Sequence, residues 1–198
     1  MAATTPQIKI PSTVRWPVFF IILSLVATQS DDFGAVLVYN RAAIFNGDIW
    51  RLLTGHLVHF STTHLVYDLT AVVITSWIIS YRGYPHFTLL EVAAALSISL
   101  VILVFRPDLA FYGGLSGIVL ANAVYLALHG LRDVAPWRNL GLGVLLLCIF
   151  KIIFDLSGVD LLTMGHNNFI PVPLSHLTGA IIGFFIYIYS LISKRSKS

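Results

Sequence analysis

Six apolar runs, at about 15–29, 62–81, 86–105, 113–130, 139–157 and 174–193, take up most of this 198-residue chain. A helix needs about 20 predominantly apolar residues to cross the hydrocarbon layer of a bilayer, and each run approaches or meets that length. In lipid, every backbone N–H and C=O must find its partner within a helix or a closed barrel. A barrel strand alternates polar and apolar residues, and these runs do not alternate. The expected fold class is an all-α membrane protein, a bundle of six transmembrane helices. Composition agrees. The chain is 57% hydrophobic and 11% charged, with a mean hydropathy of +0.86, whereas soluble domains are about a quarter charged.

The first run is short enough to resemble a signal-peptide core. The Ala27-Thr28-Gln29-Ser30-Asp31-Asp32 stretch is a weak cleavage site, so a retained helix is expected. Residues 1–14 and 194–198 read as cytoplasmic tails around a single helical domain, 15–193. With six helices both ends lie on one side. Lys9, Arg15, Arg82, Arg132, Arg138, Lys194, Arg195 and Lys197 fall on that side, against Arg41, Arg51 and Arg106 on the other. Positive residues stay cytoplasmic, so both termini are expected inside and the 31–61, 106–112 and 158–173 loops outside. The 31–61 loop, semi-polar with scattered aromatics, is expected to lie partly in the interface. The net charge of +3 comes from such loop residues. No basic, aromatic-interleaved patch points to nucleic acid. The single cysteine, Cys148, sits in an apolar run and reads as a small buried hydrophobe.

The polar residues that remain are few. Intramembrane ionisable groups are costly and usually functional. Ser116 opens the fourth run, within Gly113-Gly114-Leu115-Ser116-Gly117. His176 opens the sixth, followed by Gly179 and Gly183. By topology both residues lie at similar depth in the outer half of the membrane. Small residues four apart let membrane helices pack closely, so the sixth helix can lie against the fourth. A serine within reach of a histidine is a nucleophile with its base, which points to acyl transfer inside the membrane. His56, His59, His64 and Asp68 cluster at the start of the second run, with His64 and Asp68 one turn apart. His64 is a candidate donor to a developing oxyanion. By itself the histidine cluster suits a metal or haem equally well. A small transporter is a weaker fit, because no internal repeat is visible. Lys151 and Asp155, one turn apart on the fifth run, read as a mutual pair. Glu91 reads as reaching the interface, and Arg51 beside Trp50 as an interfacial anchor and loop brace.

These motifs resemble the rhomboid family of intramembrane serine proteases, over about residues 48–190. Trp50-Arg51-Leu52-Leu53-Thr54-Gly55-His56 is similar to the family's tryptophan–arginine motif. His59, His64 and position 68 are similar to its histidine–histidine–asparagine pattern. Gly114-Leu115-Ser116-Gly117 resembles the nucleophile motif, and His176 with Gly179 and Gly183 the histidine helix. The resemblance implies a Ser116–His176 dyad with no acidic third member and no cofactor or metal. It places the oxyanion at the Ser116 and Leu115 N–H groups and the His64 side chain, with Gly114, Asp68 and His59 around it. Asp68 stands where the family has asparagine, and is expected to orient His64 without touching the oxyanion. Leu120 stands where many members place a tyrosine that stacks on the histidine, so His176 needs another support. Ser80 stands in place of a usual glutamate.

Within the family, Arg106 to Gly117 closing at His129-Gly130 is similar to the rhombosortases. These are bacterial and linked to substrates with a C-terminal Gly-Gly motif, an apolar helix and a basic tail. The implied partners are a membrane-anchored protein substrate and the lipid bilayer, in a bacterial inner membrane with the site facing outward. A general rhomboid protease and a catalytically inactive, rhomboid-like binding protein are the alternatives. The resemblance further implies substrate access past the fifth helix, with 158–173 as a lid; the polar outer ends of the helices, with His56 and His59, are expected to line the path by which water reaches the site.

Overall fold

The computed structural model describes residues 12–157 and 172–195. The helices follow the apolar runs: α1 (Ser12–Gln29), then the short α2 (Asp31–Leu37), strand β1 (Tyr39–Asn40), α3 (Arg41–Phe45) and α4 (Arg51–Thr54), with a 3₁₀ turn at Gly55–Leu57. After these come α5 (Thr62–Tyr81), α6 (Phe87–Phe105), strand β2 (Phe111–Tyr112), α7 (Ser116–Gly130), α8 (Trp137–Leu156) and α9 (Pro173–Arg195). Four of them, α5, α6, α8 and α9, are long and apolar enough to cross a membrane, and α1 and α7 carry shorter apolar stretches. The expected all-α membrane bundle is what forms. The proposed lid at 158–173 lies almost wholly outside the described residues, as do most of the two tails.

α7 is the axis. It is buried on nearly all sides, with Leu115, Ala121, Asn122, Tyr125 and Ala127 sealed from solvent. α5, α6, α8 and α9 pack around it. The outer helices turn their apolar residues outward. α8 exposes Leu142, Leu146, Leu147, Phe150 and Ile153, the surface a lipid-facing helix requires. α8 buries little besides Gly141, Cys148 and Asp155. α7 has 15 residues, about 22 Å at 1.5 Å per residue, less than the ~30 Å hydrocarbon core. One of its ends therefore lies inside the layer. Ser116 heads α7 and is approached by the Gly113–Leu115 segment.

The 31–61 segment is a set of short helices clamped by local polar groups. Ser30 and Asn40 cap α2 and α3 through Phe33 N and Ala43 N. Arg51 is buried and acts as the expected brace. Its Nη1 donates to Ala35 O and Val38 O at 2.7 and 2.9 Å, and its Nε to Asp48 Oδ2 at 3.0 Å. Trp50 Nε1 donates to Val36 O. Phe45, Ile49, Trp50, Leu53 and Phe60 stay exposed, an apolar surface suited to the membrane interface. β1 pairs antiparallel with β2, Tyr39 opposite Tyr112, and so ties this segment to the strand leading to Ser116.

Two expectations change. Glu91 does not reach the interface. It is buried in the bundle, and its Oε1 accepts from Asn122 Nδ2 of α7 at 2.9 Å, because α7 packs over the face of α6 that carries it. Nor does His56 line a water path. Its ring is sealed, and Nε2–H donates to Ala95 O (2.9 Å) and Ser99 Oγ (3.0 Å), while Ser99 Oγ–H donates to Leu52 O. Burial holds the His56 imidazole at a pKa of about 4, far below its ordinary 6.5. A depressed base contributes stability above its unfolded pKa and loses it as pH falls towards the folded value. The protein should lose about 2 kcal/mol between pH 7.5 and 5 from this group, read as a lower Tm. His56→Gln, which cannot titrate, should show a smaller drop. Equal drops in both proteins would assign the acid sensitivity elsewhere.

Candidate active site

Ser116 starts α7 after a tight entry. Gly114 has φ +109°, the left-handed region that glycine tolerates, and a Cβ there would stand 2.5 Å from His64 Cε1. A Cβ at Gly113 would collide with Val58 O. The two glycines thus let the entry strand lie directly on the His59–His64 segment. Ser116 itself is half-buried.

His176, on the first turn of α9, is buried. α9 lies along α7 at backbone contact. A Cβ on Gly117 would stand 3.0 Å from Ser175 O. One on Gly179 would overlap Gly117 O and lie 2.9 Å from Gly117 C, and one on Gly183 would overlap Ala121 O. This seam of small residues brings the Ser116 and His176 ends together, as the glycine spacing predicted. Among the described residues no hydrogen bond joins Ser116 Oγ to His176. Such bonds often tighten only when substrate arrives.

His176 is held from its far side. Its Nδ1–H donates to Asp155 Oδ2 at 2.6 Å, and Lys151 Nζ donates to Asp155 Oδ1. The Lys151–Asp155 pair read from sequence is present, but it also reaches across to α9. The resemblance implied no acidic group on the histidine, and this chain has one. Sequence spacing gave no signal for that contact. It joins residues 21 apart on two helices whose rotation only packing sets.

Asp68, in the second turn of α5 and one turn after His64, is the second centre. Ser61 caps α5 by accepting from His64 N and so sets the register of this turn. Asp68 is buried. Its Oδ2 accepts from Leu115 N–H at 2.8 Å and from His59 Nε2–H at 3.1 Å, and lies 3.1 Å from His64 Nε2. The expected contact with His64 is there. The Leu115 N–H, which the resemblance assigned to an oxyanion, is taken up by Asp68 instead, because the carboxylate projects into the start of α7. His59 does not border a water path: its ring is fully buried. Among the described residues no three His, Cys, Asp or Glu side chains are arranged to hold a metal ion.

The opposite end of α7 is braced separately. His129 packs between the rings of Tyr84, Tyr125 and Tyr187, 4.5, 4.5 and 5.0 Å away, with Ser190 Oγ 3.2 Å from its Nε2. This tyrosine box places the His129-Gly130 motif among packing contacts.

The fold and this site define a class: an integral membrane protein of packed helices, with a half-buried serine and a buried, carboxylate-held histidine at one end of its central helix pair. The chain belongs to the rhomboid family. The family model for the rhomboid domain matches residues 46–193. Among curated relatives, the chain is similar to the rhomboid protease GlpG of Enterobacter sp. (strain 638), 28% identical over 160 residues, 79% of this chain and 56% of the relative. It is similar also to that of Photorhabdus laumondii subsp. laumondii, 27% identical over 150 residues, 72% of this chain and 48% of the relative. A third, from Salmonella paratyphi A, is 24% identical over 185 residues, 91% of this chain and 62% of the relative. The chain thus spans between about half and three fifths of the length of these relatives.

Proposed function

We propose that this protein is an intramembrane serine endopeptidase that cuts membrane-anchored proteins within or beside their transmembrane segment. The observation that carries this reading is the glycine seam between α7 and α9, which sets Ser116 and a buried His176 at the same end of one helix pair. His176 Nε2 takes the Ser116 proton as Oγ attacks the substrate carbonyl. The tetrahedral oxyanion is met by the Ser116 N–H and by His64. As the C–N bond breaks, His176 returns the proton to the leaving amine, and water then hydrolyses the Ser116 ester. The site faces outward from a bacterial inner membrane with both termini cytoplasmic, an orientation supported by the loop charges.

For substrate we favour anchors of the C-terminal Gly-Gly type that rhombosortases process, on the similarity of the Arg106–Gly117 stretch and of His129-Gly130. The similarity to GlpG proteases supports a second reading, a general rhomboid protease for single-pass proteins. Co-expression with two reporters separates them. One ends in Gly-Gly, an apolar helix and a basic tail, and the other carries an ordinary single-pass segment. Cleavage of the first alone supports the rhombosortase reading. Cleavage of the second alone supports the general one. Cleavage of neither, with Ser116 inert to a fluorophosphonate, sinks the protease proposal.

Asp68 acts in this scheme by orienting His64 and the α7 entry. Asp68→Asn can keep an acceptor where the three donors converge while losing the charge. Neutral bonds hold less firmly than charge-assisted ones, so kcat should fall about fivefold. A large rise instead would show that the carboxylate repels the oxyanion and handicaps the wild type.

A further inference from the structure

We infer that Asp155 is a positioning residue for the reaction, so that the working unit is Ser116–His176–Asp155, with Lys151 setting the direction in which Asp155 presents itself. The inference deepens the protease proposal and rests on it. His176 has one buried polar neighbour at Nδ1, the Asp155 carboxylate at 2.6 Å. Both side chains are more than nine-tenths buried, and on α8 Asp155 shares burial only with Gly141 and Cys148. A carboxylate only accepts, so the imidazole proton stays on Nδ1 and the lone pair on Nε2, the form a general base needs. The same bond fixes the ring's rotation, supplying the support that Leu120 cannot give by stacking. When Nε2 takes the serine proton, the imidazolium forms beside a fixed negative charge. Asp155 itself takes no proton.

Lys151 makes the arrangement directional. It donates to Oδ1, leaving Oδ2 for His176. In Asp155→Asn, Lys151 draws the amide oxygen to itself, and the amide N–H₂ then faces Nδ1. That nitrogen must become the acceptor, the ring proton moves to Nε2, and the base is lost. The expected fall in kcat is about 10²- to 10⁴-fold, with KM and Tm nearly unchanged. Labelling of Ser116 by a fluorophosphonate should slow in parallel. In the double variant Lys151→Met with Asp155→Asn, the amide is free to turn its oxygen to Nδ1–H. Rate should then return about tenfold towards wild type, a gain that lost packing would not produce.

Purified full-length protein in liposomes would be assayed for reporter cleavage, fluorophosphonate labelling and the low-field ¹H signal of the His176 Nδ1 proton. The signal should be present in wild type and absent in both His176→Ala and Asp155→Asn. An Asp155→Asn enzyme within twofold of wild type overturns the inference, as does an unchanged low-field signal or a double variant no faster than Asp155→Asn. If wild type neither cuts nor labels, the protease proposal has failed. The low-field signal, which needs no turnover, still reports whether Asp155 holds His176.

Discussion

His176→Ala should cut at no more than about a thousandth of the wild-type rate, Ser116→Ala should match it, and the double variant should be no slower than either. Nucleophile and base act as one unit. A serine hydroxyl is a weak nucleophile without a base to take its proton, and a base without the hydroxyl has nothing to activate. Removing one therefore removes what the other contributes. The surroundings favour a clean result. His176 is buried, and its anchors on Asp155 and Lys151 belong to α8, so deleting the ring leaves that ion pair intact. Gly117, Gly179 and Gly183 keep α7 against α9 in all three variants. Cleavage of a reporter at saturating concentration, read beside a Tm, separates chemistry from folding. A His176→Ala enzyme retaining a tenth of the activity would remove His176 from the role of base.

Gly179→Val should cost the folded protein itself. The added Cβ would overlap the Gly117 carbonyl oxygen and lie 2.9 Å from its carbon. Both are backbone atoms of the turn that carries Ser116, so no rotamer change relieves the clash. α9 would have to move away from α7, opening the most closely packed seam in the bundle. Overpacking a core commonly costs up to about 3 kcal/mol and more where backbone must shift. The expected readouts are a large fall in Tm, poor recovery of monodisperse protein and no detectable cleavage. Gly143→Ala is the control. A Cβ there meets nothing within 4 Å, and alanine is the better helix former, so Tm should hold or rise slightly. A Gly179→Val protein with wild-type Tm would mean the seam is not a close contact.

Much of this architecture was legible in the residues. The length and apolarity of the runs placed the long helices within a few residues. Those runs have to satisfy their backbone internally, so their identity as helices leaves little freedom. The fourth helix starts later than its apolar run, because Gly113 and Gly114 read as apolar-run residues yet form the entry before Ser116, with Gly114 in the left-handed region. Gly179 and Gly183 were legible as a packing face because their spacing is a local property of one helix. Arg51 was legible as a brace for the same local reason: its partners lie within 16 residues.

The remaining contacts depend on rotation. Glu91 reached Asn122 and not the interface, His56 reached α6, and Asp155 reached His176. Each pairing spans helices, and a sequence states which residues share a helix face but not which neighbour that face meets. By itself, then, the chain determined that it is a membrane bundle, that its polar residues are too costly in lipid to be idle, and that Ser116 and His176 head two helices able to pack closely. Only the tertiary structure decided that Asp68 binds the Leu115 N–H and that Asp155 holds His176. Those contacts follow from how far each helix is turned about its axis. Side-chain volumes across the whole bundle set that rotation, and no local pattern encodes it.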